Sequence, residues 1–295
     1  MLRPQSGEDV NSRPLKVGKF ELFPIKDGTF RLDGGAMFGV VPKTLWNREI
    51  AADEMNRIPL ALGALLIKTP RGRFVLVDTG LSSKYDNQPK FRKLYGVERP
   101  QTLKDELKAM GLSLADISLV INTHLNFDHA GGNTEFSEKG VPIPAFPKAR
   151  YLIQKEEWDD ASHPHERNQA SYFKENFEPL DSAGLVDLIS GEYEIEPGLR
   201  VIRSGGHTRG HQCVQIVSEG EIAVFWGDLI PTAAHLPLPW IMGYDLYPVD
   251  TLEIKRDMLK RALDENWTLI FQHDPRLRSA KLDFQNGKYA AKILD

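Results

Sequence analysis

One cysteine in 295 residues leaves no partner for an internal disulfide, which excludes the disulfide-stapled secreted scaffolds and suits a reducing compartment. No run of 18 apolar residues occurs, so no segment is long enough to span a bilayer as a helix. Neither sign of charge dominates. Lys and Arg total 37 against 41 Asp and Glu, a net charge of −4, which is a poor basis for gripping nucleic-acid phosphates or anionic lipid. Internal repeats, low-complexity tracts and Pro/Gly/Ser linkers are missing, and the polar stretch over 1–18 lacks the apolar run of a signal peptide. The expectation is a cytoplasmic protein with neither nucleic-acid nor membrane partners. It would have a polar leader over 1–16 and one folded domain over 17–295.

Enough is present to build a core: 41% of residues are hydrophobic and 26% charged. Strand-like runs occur at Phe20–Ile25, with a turn at Lys26-Asp27-Gly28. A hairpin is expected from Ala64–Thr69 and Phe74–Asp78 around Pro70–Arg73, and a buried strand at Ile117–Ile121. Later strands are expected at Leu199–Ile202, Val214–Val217, Ile222–Trp226 and Thr268–Phe271. Thr102-x-x-Asp105 and Asp250-x-x-Glu253 read as helix starts, and the polar stretch 158–176 as helical. Mixed strands and helices of this kind predict sheets covered by helices, an α/β architecture.

The histidines cluster just past apolar runs. Thr123-His124-Leu125-Asn126-Phe127-Asp128-His129 follows one strand, and Gly205-Gly206-His207-Thr208-Arg209-Gly210-His211 follows another. Trp226-Gly227-Asp228 and Phe271-Gln272-His273-Asp274 complete the set. If these strand ends share one edge of the fold, four loops converge on one site. Imidazole nitrogens and carboxylate oxygens are what zinc-type ions take as ligands.

The segment from His124 to His129 resembles the His-x-His-x-Asp-His signature of the metallo-β-lactamase superfamily. Val77-Asp78-Thr79-Gly80, Gly206-His207-Thr208-x-Gly210-His211, Gly227-Asp228 and the late His273 resemble its other motifs. The likeness covers roughly 17–275. It implies a four-layer αββα sandwich with a metal site at one edge of two sheets. The stretch Trp226–His235, continuing to Pro248, is similar to the lactonase and organophosphate-hydrolase branch. Residue by residue, the resemblance implies a first metal site of His124, the residue at 126, and His207. A second would use Asp128, His129 and His273, with Asp228 bridging. This chain departs from the signature at Asn126, where the family has histidine. An amide there has three readings: a weak ligand, a partner for a water, or a first site left partly empty.

The activity so implied is that of a metallo-hydrolase, in which a metal-activated water attacks a lactone or ester carbonyl. The cofactor would be one or two divalent ions, zinc first and manganese or iron next. Asp128 and Asp228 are the candidates for moving the proton. The alternatives are a phosphodiester or phosphotriester hydrolase, a thioesterase of the glyoxalase II type, or a degenerate, non-catalytic metal-binding module. The expected partner is a small-molecule substrate, with homodimerisation left open. His211 is expected beside the ligands, orienting one of them. Met37 and Phe38, on a glycine-rich stretch read as a flexible loop, join Phe127, His235 and Tyr244 as candidate pocket residues. Arg209 is expected to be solvated, His163 and His165 to lie on the surface, and Cys213 to be a small buried side chain.

Overall fold

The protein alternates residues inward and outward along its central strands, and that alternation builds two sheets face to face. The computed structural model describes residues 14–294. The first sheet runs in the order β1 (Leu15–Val17), β2 (Phe20–Asp33), β3 (Arg57–Lys68), β4 (Phe74–Val77), β5 (Ile117–Ile121), β8 (Arg150–Gln154) and β9 (Val186–Ile189). The second runs β10 (Tyr193–Glu196), β11 (Leu199–Arg203), β12 (Gln212–Ser218), β13 (Glu221–Phe225), β14 (Thr268–Ile270), β15 (Ser279–Gln285) and β16 (Lys288–Ile293). A small hairpin, β6 (Thr134–Phe136) with β7 (Pro142–Pro144), stands apart.

Val75, Val77, Leu119 and Ile121 of the first sheet meet Val214, Ile216, Ala223 and Phe225 of the second in a shared core. The intervening Leu76 and Val120 point outward beneath α4 (Leu103–Ala109), with Leu103 and Leu107 packed on them. Cys213 and Val224 point out of the second sheet onto Met258, Leu259 and Ala262 of α8 (Pro248–Asp264). Helix, sheet, sheet, helix is the αββα sandwich expected from the resemblance. Successive side chains point to opposite faces, and because each sheet is covered on both faces the central strands are buried almost continuously. No helix among the described residues is long and apolar enough to cross a membrane.

Local readings fared unevenly. The helix at Thr102 has both halves of its capping box, and β5 has the expected bounds. The turn at Lys26–Gly28 is instead a register shift within one long strand. Asp27 is buried there, accepting from the N–H groups of Leu81 and Leu103 and pairing with Arg99. The loop at Asp33–Gly39 is not a loop: the Asp33 carboxylate accepts from Ala36 N–H at 2.8 Å and caps the short α1 (Gly34–Phe38). After the single turn α2 (Lys43–Trp46) and α3 (Pro89–Tyr95), the strand β5 leads into α5 (Phe127–Ala130). In the middle, α6 (Lys155–Ser162) ends before Pro164, and helix returns only at 174–176 and in α7 (Glu178–Ser182). The residue before a proline avoids the helical region, which stops α6 there. In α8 the start is Pro248 with no side-chain cap, so Asp250 sits in the first turn rather than capping it. Residues 1–13 of the expected leader lie outside the described residues. Leu15 and Lys16 already pair with β2.

Candidate metal centre

Parallel pairing puts the relevant loops on one edge. β4 pairs parallel to β5, and β13 parallel to β14, so each pair releases its chain at the same end. Asp78 follows β4, His124 follows β5, Asp228 follows β13 and His273 follows β14. Asn126 is the N-cap residue of α5, which carries Asp128 and His129 in its single turn. His207 and His211 come from the loop joining β11 to β12. Gly227 has φ +53°, and a Cβ there would stand 2.7 Å from His211 Nε2. Glycine is therefore required just before Asp228.

The imidazole tautomers are fixed by what lies behind them. His129 Nδ1 faces Asp78 Oδ2 at 3.0 Å, and His273 Nδ1 faces the Ala61 carbonyl at 2.8 Å. His207 Nδ1 faces Asp245 Oδ1 at 2.9 Å. His124 Nδ1 lies 3.0 Å from the Thr123 hydroxyl, whose own proton goes to Asp78. Each Nδ1 thus donates to an oxygen, and four Nε2 atoms are left pointing at one another. His124 Nε2 is buried with no hydrogen-bond partner.

These atoms sort into two groups. His124, His207 and Asp228 offer one set of ligand atoms within 4.8 Å of one another, and Asp128, His129 and His273 offer a second. Asp228 spans both: its carboxylate lies 3.4 Å from His207 Nε2, 3.5 Å from His129 Nε2 and 3.1 Å from His273 Nε2. Asn126 Oδ1 is 3.3 Å from His207 Nε2, so the amide faces the first group. Burial, helped by the neighbouring His129 and His207, holds His124 well below the ordinary imidazole range. At His129 burial acts the same way, but Asp128 and Asp228 outweigh it and raise the pKa. Burial opposes ionisation of Asp228, yet the surrounding His129, His273 and His207 carry it well below the carboxylate range. A neutral imidazole with an orphaned lone pair, beside an ionised buried carboxylate, is a donor set that fits a divalent cation of the zinc type.

Supporting side chains were mostly beyond sequence reading. His211 was foreseen near the ligands: its Nε2 accepts from Asp228 N–H at 2.9 Å, and its Nδ1 meets Ser204 Oγ at 2.5 Å. Asp78 stood in a quoted motif without a role. Asp245, 38 residues from His207, and the buried Glu157 were missed, and no local pattern marks either.

A cavity of about 270 Å³ opens over the two groups. Met37, Phe127 and Tyr244 line it, together with Leu32, Leu60, Tyr95, Arg167 and Met242. Phe38 and His235 do not. Phe38 is fully buried, stacked between Trp46 at 5.3 Å and His235 at 4.5 Å. His235 Nε2 bonds the Met37 carbonyl at 2.8 Å, and its Nδ1 faces the Thr232 hydroxyl at 2.8 Å. Both are core of the cap over the cavity: once Asp33 turns Gly34–Phe38 into a helix, Phe38 faces away from the opening. Arg209 pairs with Asp160 at the surface. His163 and His165 are exposed. Cys213 is buried, and burial pushes its thiol up to about 12.

The chain belongs to the metallo-beta-lactamase superfamily, whose family model matches residues 64–273. An N-acyl homoserine lactonase of Bacillus sp. is 32% identical over 170 residues, 55% of this chain and 60% of that protein. The matched part thus spans about three-fifths of that relative. The lactonase AttM of Agrobacterium fabrum is 25% identical over 61% of this chain and 66% of its own length. Among solved structures, a probable metal-dependent hydrolase from Staphylococcus aureus superposes with a TM-score of 0.84 at 31% identity. That match covers 95% of this chain and 99% of the other. The dizinc quorum-quenching lactonase AidC shares the fold, with a TM-score of 0.77 at 21% identity over 96% and 97% of the two chains.

Proposed function

We propose that this chain is a metal-dependent hydrolase that opens lactones, N-acyl homoserine lactones first among them, and related esters. The observation that carries this reading is the convergence of four Nε2 atoms and two buried carboxylates at the floor of an apolar-walled cavity. The N-acyl homoserine lactonases named above support the substrate class. His124, His207 and Asp228 would hold one ion, with Asn126 beside them; Asp128, His129, His273 and Asp228 would hold the other. Zinc suits these donors, with manganese or iron as the alternatives. Bound there, a divalent ion supplies a hydroxide nucleophile near neutral pH and a Lewis acid for the carbonyl oxygen.

The chain's own residues supply the rest. Leu32, Met37, Leu60 and Met242 give the acyl part an apolar wall and keep water from it. Asp128 and Asp228 both line the cavity. Asp128 or Asp228 would take a proton from the nucleophile and return it to the ring oxygen that leaves as the lactone opens. The single, buried cysteine supports a cytoplasmic setting.

The test is a substrate panel of lactones, carboxylic esters, thioesters, phosphodiesters and phosphotriesters, run on metal-loaded and chelated protein with the metal content measured. The expected result is lactone turnover above all other classes, lost on chelation and restored by zinc. Turnover that survives removal of metal, or a preference for the phosphoesters, would overturn the proposal.

A further inference from the structure

Glu157, in the first turn of α6, is 1% exposed and touches both ligand-bearing loops. Its Oε1 accepts from Leu125 N–H at 2.9 Å, one residue after His124, and from the Tyr172 hydroxyl at 2.9 Å. Its Oε2 accepts from the Thr208 hydroxyl at 2.5 Å, one residue after His207. Leu125 lies on the loop after β5 of the first sheet, and Thr208 on the loop between β11 and β12 of the second. One carboxylate therefore bridges the two sheets at the edge where the ligands gather.

The rest of α6 grips the end of β11 and the loop that follows it. Glu156 reaches Arg203 at 3.5 Å, and Asp160 accepts from Arg209 Nε at 3.1 Å. Gly210 brings the backbones together, since a Cβ there would stand 2.3 Å from Glu157 N. Burying a carboxylate costs free energy that an apolar side chain at this position would not. That cost is offset only where the carboxylate's hydrogen bonds do something packing cannot. Here they fix His124 against His207, whose rings sit 4.8 Å apart, to a tolerance that a ligand pair for one ion demands.

We infer that Glu157 is a positioning residue for the first metal site: it holds the His124 and His207 loops in register across the two sheets and adds a buried negative charge beside them. The inference rests on the metal-centre reading above. It makes α6, not the sheets alone, a determinant of first-site affinity.

The experiment titrates metal-free protein with cobalt(II), read by visible absorption and by competition with a chelator. The step abolished in His124→Ala identifies the first site. Glu157→Gln keeps the size and one acceptor but loses the charge and the bond from Thr208. Its first-site affinity is expected to fall about ten- to hundred-fold, the usual range for groups that orient ligands, while the second site stays unmoved. Thr208→Val, which removes one strap, should shift the same step in the same direction, and it carries the test if Glu157→Gln does not fold. Tyr172→Phe removes an equivalent bond to the same carboxylate from a loop without ligands. It should leave both steps unchanged, whereas a merely structural role would move Tyr172→Phe and Thr208→Val alike. A wild type that binds no divalent ion overturns the metal-centre reading itself. A wild type that binds ions, with the first step equally tight in Glu157→Gln and Thr208→Val, overturns the role of Glu157 alone, and so does an equal loss in Tyr172→Phe.

Discussion

His129 and His273 face each other Nε2 to Nε2 at 3.1 Å, while the Nδ1 of each is engaged by an oxygen behind it. Two such lone pairs at this distance need a positive charge between or beside them. A proton can serve at one of them, and a metal ion serves both. The expected outcome is that zinc raises the midpoint of thermal unfolding and a chelator lowers it, the free-energy gain reaching about 4 kcal/mol per site at a thousand-fold excess over the dissociation constant. Differential scanning calorimetry across a zinc series checks it. A midpoint indifferent to zinc and to chelator means that no folded-state site exists.

Lys255 predicts a slope of stability with pH. Its ammonium is buried under the loop 237–240, donating to the carbonyls of Pro237 at 2.8 Å and Trp240 at 2.9 Å. Burial pulls its pKa from 10.5 to about 7, with Asp245 acting weakly the other way. Between those values the unfolded chain holds the proton that the folded chain has lost, so stability rises with pH from 7 towards 10.5. From pH 7 to 9 the gain has a ceiling of about 3 kcal/mol. Urea unfolding at pH 7, 8 and 9 should show this extra slope in the wild type and not in Lys255→Met. Parallel pH profiles for the two proteins would rule it out.

The candidate ligands stand out in the sequence because each sits in a short motif hard against a strand end, and the fold followed from that order of motifs. What stayed hidden is what tertiary distance creates. Asp245 orients His207 from a loop 38 residues away, and Glu157 reaches two loops from a polar helix with nothing local to mark it. Phe38 was misread for another reason: glycines at 34 and 35 suggested a loop, while the Asp33 cap decided for a helix and turned the ring into the core. The strand break expected at Asp27 was a bulge because its carboxylate found Arg99 and two backbone N–H groups far along the chain.

The cavity wall makes a prediction about acyl length. Leu32, Met37, Leu60, Met242 and Phe127 offer apolar surface beside the ligands. Each further methylene buried there is worth about 0.8 kcal/mol, or roughly four-fold in kcat/KM. A series of lactones differing only in chain length should climb at about that rate before levelling off. Met37→Trp, which fills the wall, should flatten the climb while sparing the shortest substrate. A flat series in the wild type would place the acyl part outside this cavity.

Asn126 governs the balance between the two sites. Its Oδ1 stands 3.3 Å from His207 Nε2, on the side of the His124, His207 and Asp228 group. A neutral amide oxygen binds zinc-type ions less well than imidazole. That leaves His124 and His207 as the strong ligands the first site does not share, while the second keeps Asp128, His129 and His273. The second site should therefore fill first when metal-free protein is titrated with zinc. Asn126→His adds a third imidazole from the N-cap position of α5, where the side chain makes no cap bond that would be lost. First-site zinc affinity should rise by at least ten-fold, with the second site unchanged and the fold intact by circular dichroism. Calorimetric titration of both proteins decides the matter. Two equally tight sites in the wild type, unaffected by the substitution, would show that the amide serves as well as an imidazole or that the first site closes without residue 126.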